Sequence, residues 1–550
     1  MPADSVLPAS IPAGGADRRR RLGGALLVCA VAALLILPAV GRQYITSSDE
    51  ARFVLIARDM LQRGVWFDAV VREKHYRNKP PLYPWSIAAL ARLGAGVTET
   101  TAGLPVALAA VTAALCTFLL GEALFGLRAG IAAGLILTTS YSFFQHSLEV
   151  LPDMLVVAFA TVAGWAFWRS ASTQTPRRRG WLVLLWAAVA MGCFSKGPVG
   201  LLPLLPAGVW LWTEGGPAAL RRLWSLPGTA VFVLITLVWV APFVGLGASS
   251  FASNVVVGNW LSWYLGVPSL DTLGNALLDG VVGFLPWAVP AVLAFPLAWG
   301  TRRQPAVRFA LLSTIVPLVV VLLAENQRRR YLLPVYPGAA LIVAWWATSR
   351  LEASPLARRA VAWLGLGAAA AGIAAHAVLG RSPDWFVGVW SWPSMPIYVA
   401  LAGLGAALFV GLHQARPDVL VGGTATAMLL LLGWAVHPYS AWVNRTQDFP
   451  QLAARLERHA RGGDAAVYGG RYFPLDFYLG RPLVRLRDAQ QLNEYLARPD
   501  APPVVLDNRA WHALQDQIAR PVVELDVVRV RAWDMRVVRR ADAAPAGTPR

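Results

Sequence analysis

Apolar residues run in long blocks over most of this chain, separated by short polar stretches rich in arginine. A block of about 20 apolar residues crosses a bilayer as a helix, because a spanning segment has to satisfy its own backbone hydrogen bonds. Thirteen stretches are long enough or nearly so: 22–41, 101–121, 129–147, 154–170, 181–195, 199–213, 229–246, 280–299, 308–324, 333–348, 360–380, 396–413 and 418–437. The pair 181–195 and 199–213 is short and fits a hairpin of tilted or thinned spans. The stretch 82–94, LYPWSIAALARLG, is too short to cross and is expected to lie in the interface.

The pattern changes at Asn444, beyond which apolar runs are short and charges frequent. PQLAARLERHA has helical apolar spacing, whereas AAVYGG, PPVVLD and VVELDVVRVRAWDMRVVRR read as strands by their β-branched content. The expected fold is therefore an integral membrane all-α domain of about 13 helices, followed by a small α/β domain. The expected boundaries are a basic N-terminus at 1–21, a polytopic part at 22–443 with an external loop at 42–100, the α/β domain at 444–540, and a tail at 541–550. Residues 1–17 and the tail are rich in Ala, Pro and Gly, which predicts disorder.

Composition agrees with lipid as the main solvent. Of 550 residues 56% are apolar and 15% charged, with a mean hydropathy of +0.50; soluble domains carry about 25% charged residues. The 24 Trp suit interfacial belts. The net charge of +18 does not indicate nucleic-acid binding, because the arginines sit in short loops between spans. Arg18–Arg21 precede the first span and set the N-terminus in the cytoplasm, and that span is too long for a cleaved leader. Arg177–Arg179, Arg221–Arg222, Arg302–Arg303 and Arg358–Arg359 all fall on the same side if 82–94 does not cross, which puts the α/β domain outside. Cys29, Cys116 and Cys193 all lie in apolar runs and form no metal or disulfide pattern.

That topology exposes charges on the external side. The loop after the first span carries Asp49, Glu50, Arg52, Arg58, Asp59, Lys74, His75, Arg77 and Lys79. Phe53, Ile56, Ala57, Met60 and Leu61 recur there at helical spacing, which predicts an amphipathic interfacial helix. Asp49 at its start reads equally well as a helix-terminal charge. Asp153 in EVLPDML, Lys196 in FSKGPVG, and Arg328, Arg329, Arg330 and Tyr331 in ENQRRRYLLPVYP stand at other external span ends. Each has an ordinary reading as a cap, a snorkelling lysine or a headgroup contact. Four such sites on one face point instead to chemistry: carboxylates to activate an acceptor, and cations to hold a phosphate.

The motifs DEARFVLIARDM and HYRNKPPLYPW in the first loop, Asp153, SKGP at 195–198 and RRRYLLPVYP occur in an order that resembles the GT-C glycosyltransferases of the protein O-mannosyltransferase and lipid A aminoarabinose transferase group. The likeness covers nearly the whole chain and is closest to the bacterial aminoarabinose branch. It implies an undecaprenyl-phosphate-linked sugar as donor, without a nucleotide sugar. Transfer would take place on the periplasmic face of the inner membrane, to an acceptor such as lipid A, another envelope glycan or a protein Ser/Thr. By that resemblance Asp49 is the catalytic acidic position, Glu50 its neighbour and Asp153 a second acid. Lys79 and Lys196 bind the carrier phosphate, with Arg52, Arg329, Arg330 and Tyr331 in the same pocket. One departure stands out. Close relatives carry a metal-binding Glu before the KPPL lysine, and here that residue is Asn78. The stretch 250–266 lacks the histidine that would complete such a site, so no bound metal is expected, with His75 and His146 candidates by proximity alone. A transporter or lipid flippase is the rival reading; it calls for internal repeats and mid-span polar residues, which the sequence does not display. A non-catalytic envelope binder is the third.

Overall fold

The computed structural model describes residues 15–541 apart from 69, 72–73, 77–78, 95, 173–176, 246–260, 265, 383–384, 386, 389–390, 393, 461, 471 and 531–532. The chain separates into two units. One comprises residues 1–40, 77–86 and 103–437; the other comprises 41–76, 87–102 and 438–550.

The first unit is helical. Among the described residues of the chain, ten helices are long and apolar enough to cross a membrane, and a bent pair makes an eleventh candidate. Three expected spans take a different form. The stretch 129–147 is broken into Leu127–Thr138 and Tyr141–His146, and its 12-residue first part rises only about 18 Å. The stretch 280–299 becomes Leu270–Gly283 and Ala288–Gly300, bent by 106°. Pro286 stands at that break and has no backbone N–H to continue a helix. The stretch 199–213 is replaced by a 3-10 turn at Gly197–Leu201 and a helix at Leu204–Ala219 that is interrupted at Gly215 and Gly216.

The hairpin in this region depends on glycine. Helix Arg177–Lys196 ends at Gly197, whose φ of +75° is the left-handed stop that glycine accepts without strain. The chain then folds back so tightly that a Cβ at Gly200 would stand 2.0 Å from the Cys193 amide nitrogen. Lys196 is thereby held in the last turn of a helix, at the turning point. Aromatic packing fixes the interior of the unit, with Trp168, Trp210 and Phe309 in mutual contact. The buried Trp287 indole donates to Thr139 Oγ1 at 3.0 Å.

In the second unit, the amphipathic stretch of the first loop is the helix Ser48–Arg63, which buries Ala51, Phe53, Val54, Ile56, Ala57 and Met60. Strands β1 (Val70–Val71) and β2 (Lys74–His75) pair as a short antiparallel hairpin. The helix Phe449–Ala460 and strands β3 (Ala466–Tyr468) and β5 (Val504–Asp507) lie where the sequence pattern puts them. The long β-branched run after Pro521 is a hairpin of β6 (Val522–Val530) and β7 (Trp533–Arg540). Strand β4 (Val484–Leu486) completes a five-stranded sheet in the order β4-β3-β5-β7-β6, with the first three strands parallel. Alternation along β5 serves two cores. Val505 packs with Leu452 and Leu456 on one face, and Val504 and Leu506 with Leu492 and Leu496 on the other. Of the first loop, residues 41–76 and 87–102 group with this sheet domain and 77–86 with the membrane helices. The termini expected to be disordered lie largely outside the described residues.

Candidate functional site

Five of the expected site residues converge on one cavity of the membrane unit. Lys79, Asp153, Lys196, Arg330 and Tyr331 line a space of about 250 Å³, together with Val156, Leu202 and Val321. Local structure positions each polar group. Asp153 follows Pro152 as the first residue of helix Asp153–Ser172, where the helix dipole favours a carboxylate. Arg330 and Tyr331 project from the 3-10 segment Arg329–Val335. Lys196 Nζ donates to Asp153 Oδ1 at 2.5 Å, and Arg330 Nε stands 4.0 Å from Asp153 Oδ2. The Tyr331 ring lies under both cations, 4.5 Å from the lysine and 5.7 Å from the guanidinium. Three cations and one carboxylate therefore line this cavity, beside an apolar wall. A phosphate ester on a hydrocarbon chain matches both halves of this cavity.

Arg329 does not line it; its Nε pairs with Asp279 at 2.7 Å, and the side chain is largely exposed. The reason is geometric, since successive residues of a tight helical turn point in different directions.

Asp49 and Arg52 belong to the second unit. Arg52 donates to Asp49 Oδ1 at 2.8 Å and to the Tyr76 hydroxyl at 3.3 Å, and packs over the rings of Tyr76 and Phe473. Burial pushes the Tyr76 phenol up, against the pull of Arg52, so the ring stays neutral. Glu50 is tied to the start of the helix. Ser47 and Glu50 form a capping box, with the Ser47 hydroxyl donating to Glu50 Oε2 at 2.7 Å. That cap accounts for Glu50 and leaves Asp49 outside it.

The comparisons with known proteins now bear on the site. Residues 78–245 match the family described as dolichyl-phosphate-mannose-protein mannosyltransferase. An undecaprenyl phosphate-alpha-4-amino-4-deoxy-L-arabinose arabinosyl transferase from Pseudomonas paraeruginosa is 28% identical over 538 residues, 90% of this chain and 92% of that one. Its Enterobacter namesake is 25% identical over 58% of each chain. The crystal structure of ArnT from Cupriavidus metallidurans bound to undecaprenyl phosphate superposes with a TM-score of 0.77 at 21% identity, covering 96% of this chain and 99% of that one. The archaeal oligosaccharyltransferase AglB from Archaeoglobus fulgidus superposes more loosely, with a TM-score of 0.56 at 12% identity over 92% of this chain and 71% of that one. The chain has the GT-C fold of the ArnT structure.

The shared fold sharpens the metal question. Among the described residues no three His, Cys, Asp or Glu side chains gather as a metal site. His75 Nδ1 faces Asp68 at 2.9 Å, and His146 Nδ1 meets the Ser142 carbonyl at 2.7 Å. Asn78 and residues 250–260 lie outside the described residues.

Tyr478 holds the segment that carries Asp49, a contact that the sequence does not announce. Its hydroxyl accepts from the Ile45 amide at 2.8 Å and donates to Glu99 Oε1 at 2.7 Å. Burial and the Glu99 carboxylate both push the phenol up, which keeps it a donor. Nearby, Arg58 donates to the Phe477 carbonyl at 2.8 Å. The helix Phe473–Leu479 thus grips both ends of the segment that carries Asp49. Tyr478→Phe is expected to destabilise the protein by about 1–3 kcal/mol, the cost of leaving buried partners unsatisfied. It should also lower turnover more than the donor KM, as thermal unfolding and steady-state kinetics on the purified protein would register. Unchanged kinetics would show that this grip does not position Asp49.

Proposed function

We propose that the chain transfers a sugar from a polyprenyl-phosphate carrier, undecaprenyl phosphate in bacteria, to an envelope acceptor such as lipid A. The observation that carries this is the cavity lined by Lys79, Asp153, Lys196, Arg330 and Tyr331, with cations beside an apolar wall. The names of the relatives support the same donor.

In the proposed reaction Asp49 takes the proton of the acceptor hydroxyl. The hydroxyl oxygen bonds to the anomeric carbon, and the bond from that carbon to the phosphate oxygen breaks. The electron pair leaves with the carrier phosphate, where Lys79, Lys196 and Arg330 stabilise the growing charge. Asp153 serves as the counter-ion that orients Lys196, and Arg52 holds the Asp49 carboxylate. Donor and acceptor are delivered from the membrane, with the N-terminus cytoplasmic and the sheet domain periplasmic, in the bacterial inner membrane.

The test is the mass of lipid A, envelope glycans and envelope proteins extracted with and without the gene, together with turnover of a synthetic undecaprenyl-phosphate aminoarabinose by the purified protein. Loss of one sugar mass from lipid A on deletion is the expected result. No change in any envelope fraction, with no turnover in vitro, would overturn the proposal.

A further inference from the structure

A second cavity adjoins the cationic one. It measures about 230 Å³ and is lined by Thr272, Asn275, Asp279, Gln327, Arg328 and Val321, the last of which also lines the first cavity. Thr272, Asn275 and Asp279 recur at helical spacing on Leu270–Gly283 and share one face of that helix. Opposite them, Gln327 is pinned by its own amide. Its Nε2 donates to the Leu322 carbonyl at 3.0 Å and to the Ala324 carbonyl at 3.1 Å. That leaves its Oε1 buried, with no hydrogen-bond partner among the described residues. A buried acceptor of this kind calls for a donor from outside the protein. Asp279 is already half neutralised by Arg329 at 2.7 Å, so the cavity does not present a bare negative charge.

The two cavities differ in chemistry. The first offers cations and an apolar wall. The second offers a hydroxyl, two amides, a paired carboxylate and a guanidinium, the groups that read a polyhydroxylated ring. Both draw on one short stretch of chain, since Arg330 and Tyr331 line the first while Arg328 and Leu332 line the second. The two linings also share Val321, so the cavities are neighbours.

We infer that the cavity formed by Asn275, Asp279, Gln327 and Arg328 is the subsite for the sugar ring of the donor, and that Asn275 and Gln327 hydrogen-bond its hydroxyls. This rests on the polyprenyl-phosphate reading above and extends it from the carrier to its cargo. It assigns the residues that tell a loaded carrier from a spent one.

The experiment measures binding of two probes to the full-length protein in nanodiscs: undecaprenyl phosphate, and undecaprenyl phosphate bearing 4-amino-4-deoxy-L-arabinose. The variants are Asn275→Ala and Gln327→Leu. Wild-type protein should bind the glycosylated carrier more tightly than the bare one. Each variant should lose about three- to tenfold in affinity for the glycosylated probe, the value of one hydrogen bond, and bind the bare carrier as wild type does. Retained binding of the bare carrier also reports that the variants fold. Equal affinity of both variants and wild type for the glycosylated probe would overturn the inference, as would a parallel loss for both probes. If wild-type protein binds neither probe, the polyprenyl-phosphate reading itself fails and takes the subsite with it.

Discussion

Asp49→Asn is expected to reduce sugar transfer by about 100- to 10,000-fold, the usual contribution of a general base. Stability should barely move, and the structure shows why the two effects separate. The helix that carries Asp49 starts at Ser47, whose hydroxyl accepts from the Glu50 amide, and Glu50 closes the reciprocal bond. Asp49 takes no part in that cap. Removing its charge forfeits a first-turn dipole interaction of about 0.3–1 kcal/mol and a half-exposed ion pair with Arg52 of about the same size. Asparagine keeps the side-chain shape and a hydrogen-bond acceptor for Arg52. Expression and thermal unfolding should therefore stay close to wild type while turnover collapses. If transfer survives, Asp49 is a helix-end charge and the activating group lies elsewhere.

The apolar helices were readable because bilayer thickness acts on the sequence directly: a span needs a long apolar run. The runs at 101–121 and 154–170 each lie in a long apolar helix, and 308–324 overruns its helix, Pro305–Leu322, by two residues. The pattern failed where a helix breaks inside an apolar run, since the break between Leu270–Gly283 and Ala288–Gly300 does not interrupt hydropathy. The charged motifs were visible for a related reason. Asp153, Lys196 and Arg330 are conspicuous at span ends, and each is also close to a fixed backbone landmark, such as Pro152 or Gly197. What could not be read was pairing across the chain. Nothing near Asp153 in sequence announces Lys196, which is 43 residues away, nor does anything near Ile45 announce Tyr478. Arg329 and Arg330 look alike in a triplet, and the 3-10 turn sends them to different carboxylates. Strand β4 was missed because three residues with an arginine at the centre carry no period.

Lys196→Met is expected to cost about 3–5 kcal/mol of stability and to abolish detectable binding of undecaprenyl phosphate. The first effect comes from Asp153, which is 8% exposed and would keep a buried negative charge whose next cation, Arg330, is 4.0 Å away. The second comes from losing the ammonium that faces the cavity. Adding Asp153→Asn separates the two, because an asparagine carries no charge to compensate. The double variant should recover most of the lost stability and none of the binding, in thermal unfolding and lipid-binding assays on the purified protein. Asp153→Asn alone is the informative third member. It leaves Lys196 in contact with the Tyr331 ring and removes its carboxylate partner, so the cavity becomes more cationic and should hold the carrier phosphate at least as well as wild type. Retained transfer in that variant would make Asp153 a counter-ion that sets the lysine in place. Loss of transfer with binding intact would make it a second acid in the reaction, and the 2.5 Å contact with Lys196 would then belong to the resting state of the site.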